Sequence, residues 1–207
     1  GARAPQLSPE TIAGVPLLTV KRTSLEGWGK VGKRIFDIGG SLLLLILLCP
    51  LMVLIALVIK LDSRGPVLFS RRDDGSLLTR IGQYGRPFRY SKFRSMMVQS
   101  DSLRYSALKE FNTRRGPLVK IKNDPRITRV GRFLRRFSLD ELPELWLVLK
   151  GDMSLVGPRP HLPEEVAQYK DEYQRLLLIK PGITGMAQVS GRSELDFRDE
   201  AALDLFY

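Results

Sequence analysis

Between Arg135 and Pro160 the chain reads RRFSLDELPELWLVLKGDMSLVGPRP, so that three carboxylates, Asp140, Glu141 and Glu144, surround Pro143 directly after a basic pair. An adjacent Asp–Glu pair can supply a nucleophile and a second group that holds a hard cation or handles a proton. Arg135, and Arg159 pinned between Pro158 and Pro160, offer guanidinium forks suited to bidentate phosphate contacts. With no Walker-type glycine loop in the chain, these are its obvious phosphate ligands. An acidic dyad beside rigid arginines points to phosphoryl chemistry assisted by a metal ion. The plainer reading is a capping box, in which Ser138 caps a helix and Glu141 reaches back to its amide. Pro143 strains that reading, because it would cancel one of the first helical hydrogen bonds, and a helix starting at Pro143 is favoured. Carboxylates at a helix N-terminus are stabilised in the charged form, which serves a cap and a nucleophile alike, and both readings stay open.

Composition narrows the partners. The 207 residues are enough for one ordinary domain with an appendage, and 33 Lys+Arg against 22 Asp+Glu give a formal net charge of +11. Such a balance calls for a polyanion: nucleic acid, an anionic membrane surface or a phosphorylated substrate. Cys49 is the only cysteine and His161 the only histidine, which excludes a disulfide framework and a Cys/His zinc site. Any metal must be held by oxygen, which favours magnesium.

The elements that position these groups begin with IGGSLLLLILLCPLMVLIALVI, Ile38 to Ile59, an uncharged run long enough to cross a bilayer core. Pro50 removes a hydrogen bond in its middle and predicts a kink. Basic residues flank both ends, Lys30, Lys33 and Arg34 before it and Lys60, Arg64, Arg71 and Arg72 after it. The positive-inside bias is best satisfied with both ends on one side, as a re-entrant hairpin. A kinked spanning helix and a buried core helix are the alternatives.

The remaining chain divides into residues 1–29, a linker or the tail of an upstream domain, the membrane element 30–62, and a domain over 63–207. GPVLFSRR and RIGQYGRPFRYSKFRSM predict short strands in an interrupted hairpin, and a helical pattern follows from Ser100 to about Phe111. From Arg114 to Arg136 nine Lys/Arg accompany the single acid Asp124, and the turn-spaced Ile127, Val130, Phe133 and Leu134 predict a basic amphipathic helix at a phospholipid surface. Its plainer reading is a surface helix with its stripe on the core. PELWLVLKG predicts a short helix stopped by Gly151. An extended proline-locked segment, a polar helix over about 164–178, a Gly-rich turn and strand at KPGITGMAQVSGR, and a final helix in FRDEAALDLFY complete the expectation.

These motifs together, KFRSM (Lys92 to Met96), NDPRITRVGRFLRR (Asn123 to Arg136), SLDELPELWLVLKGDMSLVGPRP and KPGITGMAQVSGR (Lys180 to Arg192), resemble the bacterial sugar transferase family, the monotopic phosphoglycosyl transferases. The resemblance covers nearly everything after Gly29. It implies a helix-rich α+β fold, with a re-entrant helix broken at a Ser-Pro pair, here Cys49-Pro50, and a small cytoplasmic catalytic domain. Cys for Ser loses a hydroxyl at the break and keeps the proline. The family's catalytic dyad falls on Asp140 and Glu141, which are also its implied metal residues, and its Pro-Arg-Pro motif on Pro158, Arg159 and Pro160. Arg135, Arg159 and Lys92 are the implied phosphate ligands. Glu144 stands where many relatives carry Gln and is assigned no catalysis, and His161 is a neighbour of the site. For Lys92 and Arg94, surface charge beside anionic lipid explains the residues equally well.

The implied reaction moves a sugar 1-phosphate from a UDP-sugar to undecaprenyl phosphate, with Mg2+, through a covalent aspartyl intermediate. It takes place at the cytoplasmic face of the bacterial inner membrane. The opening AGVPLLTV resembles the tail of an extra domain in longer members, and relatives continue beyond LDLFY, so the expectation is an excised catalytic region with a homodimer among its partners. Nucleic acid is not expected, because aromatics are not interleaved with the basic run. A membrane-anchored basic binding module and a phosphatase or nucleotidyl transferase using the same dyad are the rivals. A UDP-hexose or an N-acetylated amino sugar is the donor.

Overall fold

The computed structural model describes residues 7–12, 15–20, 28–98, 121, 124–191, 195 and 197–206. An antiparallel pair, β1 (Leu7–Ile12) and β2 (Val15–Val20), precedes one long helix, α1 (Trp28–Asp62). Four short strands follow: β3 (Leu68–Phe69), β4 (Thr79–Ile81), β5 (Pro87–Arg89) and β6 (Lys92–Phe93). Then come α2 (Arg129–Arg136), a 3₁₀ turn at Leu139–Glu141, α3 (Glu144–Lys150), β7 (Ser154–Val156) and α4 (Pro163–Val166). A 3₁₀ stretch Asp171–Leu178, β8 (Gly182–Thr184), α5 (Met186–Ser190) and α6 (Phe197–Phe206) end the order. The fold is mixed helix and strand, in which β4 pairs with β5 and β3 with β6, both antiparallel, while β7 and β8 run parallel.

The parallel pair explains the glycines of VGPRP and KPGITG. A Cβ on Gly182 would collide with the Gly157 backbone, and one on Gly157 with Lys180 O, so only glycine lets the two segments approach this closely. This fixes the Pro-Arg-Pro loop at the end of β7.

α1 runs through Pro50 as one 35-residue element, about 52 Å if straight at 1.5 Å per residue. Both of its ends are tied to the globular part. Near the start, Asp37 is 3% exposed and its Oδ1 accepts from Ser154 Oγ and Leu155 N, both at 3.1 Å. Lys33 donates to the same carboxylate at 2.7 Å, and Arg34 donates to Val148 O and Leu149 O at 2.7 and 2.8 Å, which stoppers the open C-terminal carbonyls of α3. Near the end, Ile55 and Ile59 pack with Phe93 and Leu134, and Arg94 donates to Ser63 O at 2.8 Å and to Arg64 O. Between these anchors Leu43, Ile46, Leu47, Val53 and Leu54 are exposed, and this apolar band is the one described helix long and apolar enough to cross a membrane.

The main core joins Leu78, Phe88 and Tyr90 of the hairpin to Leu147, Val148, Met153 and Leu162, and a second cluster packs Tyr169 and Leu176 on Phe197 and Ala201. The hairpin and the PELWLVLKG helix form as the pattern predicts, with Gly151 at φ 102° closing α3.

Three expectations need correction. The basic run gives a described helix only over Arg129–Arg136: Thr128 caps it, accepting from Gly131 N at 2.9 Å, and Ile127 bridges to Met96 instead. Its apolar residues also split, with Leu134 buried inward and Phe133 and Phe137 exposed. The polar helix over 164–178 is broken into α4 and a 3₁₀ stretch, because Tyr169 turns inward to the aromatic cluster. KPGITGMAQVSGR contains a helix, α5, after its strand. The helix expected over Ser100–Phe111 and most of the run from Arg114 to Asn123 lie outside the described residues.

Candidate active site

α2 delivers Arg135 to its last turn, and the chain then reverses at Ser138, whose backbone is left-handed at φ 56°. The reversal leaves no capping bond from Ser138, so the capping-box reading of SLDE is not realised. Asp140 instead lies on the 3₁₀ turn, 5% exposed, with Pro143 as the N-cap of α3 just beyond. Across from it, β6 presents Lys92, whose Nζ stands 3.7 Å from Asp140 Oδ2. Gly131 lies flat on the Ser95 backbone, where any side chain would collide, and Arg135 Nε donates to Ser95 Oγ at 2.8 Å. α2 and the KFRSM segment are thereby locked together, and the charges of both Arg135 and Lys92 act on Asp140.

Arg159 comes from the loop after β7. Pro158 and Pro160 are buried and Arg159 is exposed, so the prolines hold the backbone while the guanidinium projects. Partial loss of water around the guanidinium of this exposed side chain works against its charge, but the carboxylates of Glu141, Glu200 and Glu144 outweigh it and hold Arg159 above its ordinary pKa. Burial, together with the Arg135 and Arg159 charges, brings the Lys92 ammonium down to about 8 despite Asp140. Arg135 is likewise lowered by burial, with Asp140 and Asp124 opposing. The structure thus brings Lys92, Arg135, Asp140, Glu141 and Arg159 into one electrostatic cluster. Cys49 and Pro50 are elsewhere, on the exposed middle of α1.

The cluster's surroundings include Glu144 and His161, to which the sequence assigned no chemistry, and Tyr90, Arg80, Glu200 and Asp204, which it did not single out. Glu144 is 2% exposed, accepts from Tyr90 OH, and is pushed well above the carboxylate range by burial and by Glu141. Arg80 lies 5.0 Å from the Tyr90 ring centre. The strand period that puts Tyr90 two residues before Lys92 was the signal available for it. From α6, Asp204 accepts from Arg159 N and from Ala187 N, both at 3.3 Å, and Glu200 Oε1 stands 3.7 Å from His161 Nε2. His161 is buried, with Tyr169 OH on its Nδ1, and supports the loop behind Arg159.

Among the described residues no three His, Cys, Asp or Glu gather as a metal cage. Two carboxylates adjacent in sequence beside a cluster of Lys and Arg side chains would fit a magnesium ion that takes its other ligands from water and a phosphorylated ligand.

A family model for "Bacterial sugar transferase" matches residues 28–207. The chain belongs to this family. It is similar to an "Undecaprenyl-phosphate glucose phosphotransferase" of Komagataeibacter xylinus, 44% identical over 92% of this chain and 35% of that protein. An "Undecaprenyl-phosphate galactose phosphotransferase" of Salmonella typhimurium is 40% identical over 93% of this chain and 40% of its own length. "Exopolysaccharide production protein ExoY" of Sinorhizobium fredii is 37% identical over 86% of this chain and 77% of its own. This sugar transferase chain therefore spans well under half the length of the first two relatives and most of the third.

Proposed function

We propose that the chain transfers a sugar 1-phosphate from a UDP-sugar to undecaprenyl phosphate, releasing UMP, and that Asp140 carries the group between them. The observation that supports this most is Asp140 itself, buried on a turn beside Glu141, with Lys92 Nζ 3.7 Å from its carboxylate and the Arg135 charge acting on it. An Asp140 carboxylate oxygen attacks the β-phosphorus of the donor. The bond from that phosphorus to the bridging oxygen breaks, and UMP leaves with the electron pair. The resulting acyl phosphate stays activated, and an oxygen of the lipid phosphate then displaces the Asp140 carboxylate. Arg159 and Arg135 hold phosphate oxygens as charge shifts toward the leaving group, and Lys92 steadies the Asp140 side. Asp140 and Glu141 would hold Mg2+, which when bound neutralises diphosphate charge so that an anionic nucleophile can approach. The donor is a UDP-hexose, following the glucose and galactose named for the relatives.

The anchor is re-entrant in this reading. A spanning helix puts its ends on opposite sides of a core about 30 Å thick, whereas Asp37 and Ile59 are both packed on the same globular unit. Exposed Phe133 on α2, Phe137 at its C-cap and Trp146 on α3 suit an interfacial face. The domain then lies on the cytoplasmic side of the inner membrane, where nucleotide sugars are found.

The test is UMP release by detergent-solubilised protein with Mg2+, undecaprenyl phosphate and a panel of UDP-sugars. Release with a hexose donor and a drop of at least about a thousandfold in Asp140→Asn is expected. Release undiminished in the variant would overturn the covalent role, and no release with any sugar from protein extended through the family's C-terminal sequence would overturn the transferase.

A further inference from the structure

A groove of about 960 Å³ runs between α1 and the layer formed by β7, β8 and α5. Phe36, Leu44 and Leu48 of α1 form one wall, in a row four residues apart that also contains Gly40. At Gly40 the missing side chain lets Leu155 close against the helix, since a Cβ there would lie 2.8 Å from Leu155 Cδ1. Ile183 and Val189 belong to the facing wall. Glu141 and Ser138 stand at its polar edge.

The α1 wall is continuous with the exposed apolar band of the helix, and the lining also includes Glu141, the neighbour of Asp140 in the chain. A soluble nucleotide sugar has no use for a greasy channel leading from the bilayer. A lipid whose phosphate reacts at Asp140 does. Resting on the function proposed above, we infer that this groove is the acceptor subsite, in which the first isoprene units of the polyprenyl phosphate lie between α1 and the β8–α5 wall. The volume is that of a site for a ligand of drug-like size, so the rest of the chain stays in the membrane along α1.

Val189 is 72% exposed and Leu44 36% exposed, so both can be enlarged with little cost to the core. Val189→Trp and Leu44→Trp are compared with wild type in two assays. One is the burst of UMP from UDP-hexose without acceptor. The other is the KM for undecaprenyl phosphate in mixed micelles, with farnesyl phosphate as competitor. The expected result is an acceptor KM raised about tenfold or more in both variants. Farnesyl phosphate should inhibit wild type and lose at least about tenfold in potency against the variants, while the donor burst keeps most of its amplitude.

An unchanged acceptor KM and unchanged farnesyl phosphate inhibition, with the burst intact, overturn the groove and leave the transferase standing. Absence of a burst or of turnover in wild type overturns the function beneath it. If a variant loses its burst, Val189→Phe replaces it, and the same KM and competition criteria decide. If only the amount of phosphatidylglycerol in the micelle changes the variant's behaviour, a phospholipid chain occupies the groove and the acceptor assignment falls.

Discussion

Two arginines show how the same side chain serves opposite ends. Arg94 is 4% exposed and gives its guanidinium to main-chain carbonyls at the end of α1, Ser63 O at 2.8 Å, Arg64 O and, at 3.4 Å, Ile59 O. Arg159 is held through its backbone, by two buried prolines and the Asp204 carboxylate, and its guanidinium makes no hydrogen bond among the described residues. The first gives both terminal nitrogens to the fold and works as a staple. The second is rigid at the root and free at the tip, which is what recognition of an incoming phosphate requires.

That contrast breaks most sharply at Arg159. Removing a guanidinium that stabilises charge in the transition state costs on the order of a hundredfold to a thousandfold in kcat, so Arg159→Ala should lose that much UMP release and keep the wild-type Tm. Arg159→Lys should recover little, because a point charge cannot replace the fork. An Arg159→Ala protein that melts early would make this arginine a staple as well.

Arg94→Ala should do the reverse. The orphaned carbonyls at the end of α1 would cost about 3 kcal/mol, visible as a lower melting temperature, with activity per folded molecule largely kept. Retained stability together with lost turnover would move Arg94 into the site.

Asp204 stands between the two cases, since it holds the backbone of Arg159 and Ala187 without a view of the reaction. Asp204→Ala should lower kcat about tenfold with little change in donor KM, and Asp204→Asn, which keeps one acceptor oxygen but turns its amide NH2 toward the other backbone N–H, should recover only part of it. A change confined to stability would reduce Asp204 to packing.

How much of this was legible follows from distance along the chain. Asp140 and Glu141 are adjacent, Pro158, Arg159 and Pro160 form one tripeptide, and α3 is delimited by Pro143 and Gly151, so residue type and spacing brought them forward, while the roles expected of the dyad and the tripeptide came from the family resemblance. Glu200 and Asp204, by contrast, are acids four apart near the end of the chain and read as one solvated helix face. Their inward turn depends on Arg159 and His161, some forty residues away, and no local pattern encodes it. The basic run misled for a related reason: turn-spaced Ile127 belongs to a bridge with Met96 and only Val130 and later residues to the helix. α5, at five residues, is too short for any periodicity to register.

Lys92 sharpens the comparison from the side of charge. Unlike either arginine, its ammonium titrates within reach of experiment, brought to about 8 by burial and by the Arg135 charge. It is charged below that pH and neutral above it. If the charge is what steadies Asp140 and the phosphates, turnover should fall severalfold as pH rises through about 8. Lys92→Arg keeps its charge throughout this range, so the alkaline fall should become shallower even if turnover at pH 7 drops about twofold to fivefold. Glu144 is raised too and gains negative charge on ionising, so a residual slope should persist in Lys92→Arg and shrink further when Glu144→Gln is added. An alkaline limb identical in wild type and Lys92→Arg would place the titrating group elsewhere and leave Lys92 as a structural partner of Asp140.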